Sequence, residues 1–311
     1  MKNKKISVIV SCFNEEKNIR EIYERIFRVF GKLDYKYEII FVDNSSEDTS
    51  VKIYKDLAKK DKNVKIIIMS RNFGSPQPSF IAGLENSTGD AAVLLHGDIQ
   101  DPPEMISEFV KKWENGYQVV YGVRKFRKGY GFLMNFFYKS FYFLLQKLSY
   151  IKIPLDAGDF SLIDKVVIKE LLKMEEYDYY LRCLRAYVGF DQIGIEYVRD
   201  SRKQGRSSEN LFTGLWWAKT IIINFSLKPL ELISKIAMVV MAFSFIFILV
   251  NVAMIIVNRN SPPGIPTIVI LILFLGGIQL LSISIIAEYL AKIFLEIKRR
   301  PKYIIRKKIN F

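Results

Sequence analysis

Along the first hundred residues, short apolar runs alternate with stretches whose apolar residues recur every three or four positions. Ile6 to Ser11, Tyr37 to Val42, Val64 to Met69 and Ala91 to Leu95 are rich in Val, Ile and Leu and read as strands. Helical spacing follows the first as far as Phe30 and the second from about Ser50 to Lys60. Strands alternating with helices predict a parallel, doubly wound α/β sheet. Each strand ends in polar residues, Asn14 and Glu15, then Asp43, then Arg71 and Asn72, then Asp98. Right-handed crossovers gather such ends on one edge of the sheet, where open α/β sheets bind ligands. Gln118 to Val123 reads as a further strand, ending at Arg124.

The stretch Ala91 to Pro103 carries the sharpest chemistry. A buried strand stops at His96-Gly97-Asp98-Ile99-Gln100-Asp101 and is followed by two prolines. Asp101 is expected as a helix N-cap, with Pro in the first turn and Glu104 closing a capping box. Asp98 and Gln100 then sit on a short loop held at both ends. Hard oxygen ligands there suit Mg²⁺ or Mn²⁺ on a diphosphate, since those ions keep positions open for phosphate oxygens. The plain alternative is a strand end whose carboxylates cap a helix.

Toward the C-terminus the pattern changes. Ile236 to Val257 and Ile265 to Ala287 carry no charge, and each exceeds the ~20 residues that cross a bilayer. A breaker-rich turn, Asn258 to Gly264, joins them into a hairpin. Lys228 and Lys235 precede the first span; Lys292, Lys298, Arg299 and Arg300 follow the second, and only Arg259 lies between. The positive-inside rule places both chain ends in the cytoplasm. Leu211 to Leu227, with Trp216 and Trp217, fits an amphipathic helix at the bilayer interface. The expected organisation is a catalytic domain over 1–207, an interface helix over 208–230, two transmembrane helices over 231–295 and a basic cytoplasmic tail over 296–311.

This arrangement accounts for a composition that is otherwise contradictory, 50% hydrophobic with a net charge of +14 over 311 residues. The basic residues crowd beside apolar segments and no nucleic-acid-binding pattern accompanies them, so membrane lipid is the expected partner and nucleic acid is not. Cys12 and Cys183 form no spacing motif, which fits a reducing compartment. Neither G-x-G-x-x-G after the first strand nor a Walker lysine loop occurs, which disfavours dinucleotide dehydrogenases and P-loop ATPases.

Other candidates stay two-sided. Asp43, in Asp-Asn-Ser-Ser-Glu-Asp, either forms a turn or accepts hydrogen bonds from a base or ribose. Asp159, in Ala157-Gly158-Asp159-Phe160, reads as a loop carboxylate that is functional or simply turns the chain. Arg202, Lys203, Gly205, Arg206, Ser207 and Ser208 either wrap an anion or form a solvated loop. The aromatic-rich stretch from Lys125 to Tyr150 reads as core or membrane-facing.

Taken in order, SVIVSCFNEE, IIFVDNSSEDTS, SRNFG, HGDIQDPPE, VVYGVR, DAGDF and the paired spans resemble the polyisoprenyl-phosphate glycosyltransferases of glycosyltransferase family 2, the group of dolichol-phosphate mannose synthase and bacterial lipid-glucose synthases. The resemblance covers nearly the whole chain. It implies a GT-A fold, a nucleotide-sugar donor, with a UDP-sugar favoured, a divalent metal, and inverting transfer to undecaprenyl phosphate. It also implies a cytoplasmic catalytic domain and a homo-oligomer, up to a tetramer. By residue, the resemblance implies donor-nucleotide contacts at Phe13, Glu15, Asp43 and Asp98, metal binding at Asp98 and Gln100 with His96 as a further candidate, phosphate contacts at Arg124, Arg202 and Ser207, and a catalytic carboxylate at Asp159 beside Asp98. Where the family commonly has Asp-x-Asp, this chain has His96-Gly97-Asp98, its only histidine included; where Asp-Asp-Gly-Ser is usual it has Asp43-Asn44-Ser45-Ser46. A softer imidazole would shift preference toward Mn²⁺. The rival expectations are a degenerate, non-catalytic membrane scaffold that binds no metal, and a processive polysaccharide synthase, whose Gln-x-x-Arg-Trp motif is missing here.

Overall fold

The computed structural model describes residues 4–124, 154, 157–177, 179–199, 222–257 and 264–311. The chain divides into two compact units, one holding the sheet together with Arg300–Phe311 and the other holding the long apolar helices.

In the sheet unit the alternation of strand and helix is as the apolar runs predict. The elements are β1 (Lys5–Cys12), α1 (Ile19–Phe30), β2 (Lys36–Asp43), α2 (Ser50–Lys60), β3 (Val64–Met69), α3 (Gln77–Glu85), β4 (Ala91–His96), α4 (Ile106–Glu114) and β5 (Val119–Arg124). They continue with β6 (Ala157–Asp164), α5 (Lys165–Leu172), α6 (Leu181–Val188) and β7 (Gln192–Tyr197). A final strand, β8 (Ile305–Ile309), completes an eight-stranded sheet of order β7-β5-β6-β4-β1-β2-β3-β8. β4, β1, β2 and β3 run parallel, β6 runs antiparallel between β4 and β5, and β8 runs antiparallel to β3.

The parallel strands are apolar on both faces because helices cover both. Ile6, Val8, Ile9 and Val10 are fully buried, as are Ile39, Ile40, Phe41 and Val42. α1 presents Ile19, Ile22, Ile26, Val29 and Phe30 to the core. Gly83 lets α3 approach β1 closely: a Cβ there would stand 2.2 Å from Ile9 Cγ2. One acid is buried at the other end of the sheet. Glu38, 1% exposed, is paired with Lys5 at 2.6 Å and Lys65 at 2.8 Å, and accepts from Ser7 Oγ and Thr88 N.

Two expectations change here. Asp159 lies inside β6 and not in a loop, because Phe160, Leu162 and Ile163 pack in the core and carry the strand past the glycine. The segment 296–311, expected as a basic tail, contains β8, whose Ile309 packs against the core while its lysines stay exposed.

The second unit contains α7 (Lys228–Val257) and α8 (Ile265–Lys298), two helices long and apolar enough to cross a membrane, with unburied apolar surfaces. Within it Tyr289 Oη donates to Ser226 O at 2.7 Å.

Candidate active site

The carboxyl ends of the parallel strands form the expected edge. Cys12 is level with Asp43, and Ser11 with His96. The loops after β1 and β2 are fastened to each other: Asn14 N donates to Ser46 Oγ, Glu47 N to Asn14 Oδ1, and Thr49 N and Oγ1 to Glu16 Oε2. Asn44 ties in the loop after β3 by donating to Asn72 Oδ1 and accepting from Phe73 N. Segments far apart in sequence are thereby locked into one rim.

β4 delivers His96, and β6 brings Asp159 opposite it. The pairing of Leu94 with Ser161, continued two residues along each strand, sets His96 against Asp159. His96 Nε2 lies 3.6 Å from Asp159 Oδ2, with the two side chains 19% and 15% exposed. Burial alone would lower the imidazole pKa; the close polar contact with Asp159 and the charges of Asp159, Asp101 and Asp98 outweigh it and raise it. Burial would raise the Asp159 carboxyl, but His96, Arg182 and Arg185 overcome that and hold it down at about 2. Asp159 Oδ2 also accepts from Gln77 Nε2 at 3.0 Å, while its buried Oδ1 has no hydrogen-bond partner among the described residues.

Asp98 follows immediately. Gly97 permits the turn, since a Cβ there would meet Cys12 Sγ at 2.7 Å and Ser11 O at 3.2 Å. Ile99 takes φ 57°, and Gln100 N donates to Asp98 Oδ1 at 3.2 Å. Arg199 reaches in, its Nη2 3.9 Å from Asp98 Oδ2 and its Nε 3.5 Å from Asp101 Oδ1. The expected helix cap is not formed. Asp101, fully buried, instead accepts from the Tyr197 hydroxyl, and Glu104 receives both Nε and Nη2 of Arg25 at 2.9 and 2.6 Å. The two carboxylates are taken instead by side chains of distant elements, Glu104 in a two-point charge-assisted pair with Arg25.

Arg124, at the end of β5, lies over Gly158, where a Cβ would come 3.0 Å from its Nη2. Burial opposes its charge, yet Asp101, Tyr197 and Asp159 raise its pKa overall. Arg185 is buried behind Asp159; desolvation lowers its pKa to about 10, only partly offset by Asp159, and its Nη2 donates to Gly158 O at 3.3 Å. Asp43 is fully buried in the turn-forming role, its Oδ2 accepting from Ser46 N at 3.0 Å and its Oδ1 from Ser46 Oγ at 2.5 Å. Phe13 is 40% exposed on the rim, and Glu15 accepts from Asn18 Nδ2.

Of the residues expected from sequence, His96, Asp98, Gln100, Arg124 and Asp159 thus meet at one end of β4, β5 and β6, with Phe13, Glu15 and Asp43 along the neighbouring strand ends. Arg202 and Ser207, with the rest of the basic loop, lie outside the described residues, as do the aromatic stretch 125–150 and the Trp216–Trp217 segment. Gln77, Arg182, Arg185, Tyr197 and Arg199 were not singled out by sequence. Gln77 stands between two prolines, which reads as a chain break, and the others lack any motif of their own.

A mixed sheet of this order, with acidic side chains collected at the carboxyl ends of its parallel strands, is a GT-A-like glycosyltransferase scaffold. The chain belongs to glycosyl transferase family 2, whose pattern matches residues 7–172. It is 37% identical over 301 residues to the uncharacterized glycosyltransferase YkcC of Bacillus subtilis (strain 168), covering 97% of this chain and 93% of that one. It is 36% identical over 305 residues to the bactoprenol glucosyl transferase of Shigella phage SfII, covering 97% and 98%. Among solved structures it is similar to glucosyl-3-phosphoglycerate synthase from Mycobacterium tuberculosis in complex with Mn²⁺, UDP-glucose and phosphoglyceric acid, at 16% identity and TM-score 0.45 over 71% of this chain and 78% of that one.

Proposed function

We propose that this glycosyltransferase moves a sugar, with inversion, from a nucleoside-diphosphate sugar, UDP-sugar favoured, to the phosphate of undecaprenyl phosphate on the cytoplasmic face of the membrane. The observation that carries this reading is the meeting of Asp98, His96 and Asp159 at one strand edge, in a chain that matches a bactoprenol glucosyl transferase along 97% of its length.

The donor would lie along the rim, with a base against the exposed ring of Phe13 and the Glu15 and Asp43 loops around the nucleoside. Arg124, with Arg202 and Ser207, would take phosphate oxygens. For a divalent ion the residues fit in part. Asp98 supplies a hard carboxylate, and among the described residues no group of three acidic, histidine or cysteine side chains forms a closed cage. Such an open set suits Mg²⁺ or Mn²⁺ that completes its shell with diphosphate oxygens. Asp98, with Gln100 beside it, would hold the ion, and His96, whose Nε2 faces Asp159, would serve as that carboxylate's partner instead. When bound, the ion neutralises charge on the departing diphosphate.

A phosphate oxygen of the acceptor attacks the anomeric carbon as the bond to the diphosphate breaks on the opposite face. Phosphate monoesters have a second pKa near ~6, so this nucleophile is already largely ionised at neutral pH. A carboxylate held at about 2 is a poor base, which supports Asp159 as a fixed negative charge facing the oxocarbenium-like centre.

The chain runs from the sheet into α7 and α8 and back into the sheet as β8, so two crossings return it to the side it left. With the basic flanks, this supports a cytoplasmic catalytic domain and cytoplasmic termini. The same tether keeps the acceptor lipid at high effective concentration. Assembly as a homo-oligomer, up to a tetramer, is part of the same reading. The test is to incubate membranes containing the protein with a panel of nucleotide sugars and undecaprenyl phosphate and weigh the lipid product. A polyprenyl-phosphate sugar from one donor supports the reading; no glycolipid from any donor overturns it in favour of a non-catalytic scaffold.

A further inference from the structure

We infer that Gln77 is a positioning residue that fixes the rotamer of the Asp159 carboxylate beside the reacting sugar. The inference rests on the proposed role of Asp159 and adds to it a residue at the start of α3, a segment not otherwise part of the acidic cluster.

Gln77 is 5% exposed. Its Oε1 accepts from Leu181 N at 3.0 Å, and its Nε2 donates to Asp159 Oδ2 at 3.0 Å. Both partners dictate the orientation of the amide. Leu181 N is the first amide of α6, an N–H with no partner inside the helix, so it requires an acceptor. A carboxylate requires a donor. Turning the amide over would set N–H against N–H and oxygen against oxygen, so only one orientation satisfies both ends. The side chain is therefore a rigid link from the backbone of α6 to one carboxylate oxygen.

That oxygen is also the one nearest His96, at 3.6 Å. Oδ2 is thus held by two groups, and among the described residues the buried Oδ1 has no hydrogen-bond partner. Gln77 and His96 together hold the carboxylate in one rotamer. Gln77 touches neither donor nor acceptor; it acts through Asp159.

The test compares Gln77→Leu, Gln77→Glu and Asp159→Asn with the wild type, using undecaprenyl phosphate and UDP-glucose, or the other donor that the wild-type protein uses. Gln77→Leu removes both hydrogen bonds. Gln77→Glu is near-isosteric and can still accept from Leu181 N, so it preserves the α3–α6 link while opposing Asp159 with a like charge. Both should lower kcat by ~10- to 100-fold while leaving the KM for the nucleotide sugar within about twofold, the pattern of a misplaced group that binds no ground-state donor. Wild-type kcat in both Gln77 variants, or a rise in KM alone, would overturn the inference even where Asp159→Asn is inactive. Wild-type turnover by Asp159→Asn would instead remove the proposed role of Asp159, and this inference with it.

Discussion

His96 and Asp159 stand opposite each other on neighbouring antiparallel strands, with Nε2 of the imidazole 3.6 Å from Oδ2 of the carboxylate. The family's usual acidic residue at the histidine position would place two carboxylates here, and one of them would have to take up a proton or an ion. In this chain the pair is complementary by itself. The imidazole is biased toward its charged form by the same contact that keeps Asp159 ionised.

His96→Asn should therefore lower turnover about tenfold, the scale of losing a group that orients a working side chain, and leave the half-saturating Mn²⁺ concentration within about twofold. A Mn²⁺ titration of activity measures both. A large rise in the Mn²⁺ requirement would make His96 a ligand of the ion and not the partner of Asp159.

Gly97 fixes where Asp98 sits relative to β1. Gly97→Ala drives a Cβ to 2.7 Å from Cys12 Sγ and 3.2 Å from Ser11 O, so either the loop or the strand must move. The expected cost is ~1–3 kcal/mol of stability, typical of overpacking, with a larger loss of activity because Asp98 shifts. Thermal unfolding and turnover of the same preparation give the two numbers. Wild-type values for both would show that the edge is looser than its contacts imply.

At the opposite end of the strands, Glu38 predicts a pH dependence of folding. Burial opposes its charge, but Lys5, Lys65, Ser7 and Thr88 hold its pKa at about 2, below the ~4.3 of an unfolded glutamate. A folded value below the unfolded one stabilises the protein above ~pH 4.3, and that contribution is lost as pH falls toward 2. Glu38→Gln should thus lower the melting temperature clearly at pH 7, and the gap to wild type should narrow below about pH 4. A gap that stays constant across this range would contradict the assignment.

The C-terminal strand gives a separate prediction. Removing Arg300–Phe311 takes β8 from the edge of β3, together with the Lys308–Asn86 and Asn310–Ala58 hydrogen bonds. The truncated protein should melt at a lower temperature and expose the edge amides of Ile66 and Ile68 to faster hydrogen exchange. Unchanged exchange at β3 would mean that β8 is not a working part of the sheet.

What the sequence made legible follows from how local each signal is. β1 to β4 were readable because each is a buried apolar run ended by polar residues, and the doubly wound order then fixes which ends share an edge. Asp98 was placed at that edge on that basis alone. β8 was not readable: Ile305-Arg306-Lys307-Lys308-Ile309 is short and basic, and it pairs with a strand more than 230 positions upstream, so no nearby residue announces it. The cap expected at Asp101 and Glu104 failed for a similar reason. The motif is local, but Tyr197 and Arg25, which claim those carboxylates, come from distant elements. Asp159 was picked out as a candidate but misplaced in a loop, because Gly158 masks the start of β6.

The most direct measurement is transfer of labelled sugar to undecaprenyl phosphate by the purified protein, run side by side for the wild type, Asp98→Ala and Asp159→Asn, each verified as folded. The expected result is a polyprenyl-phosphate sugar from the wild type, formed only with Mg²⁺ or Mn²⁺, and a loss of at least ~100-fold in both variants. Wild-type rates in either variant, or full activity in excess chelator, would contradict it.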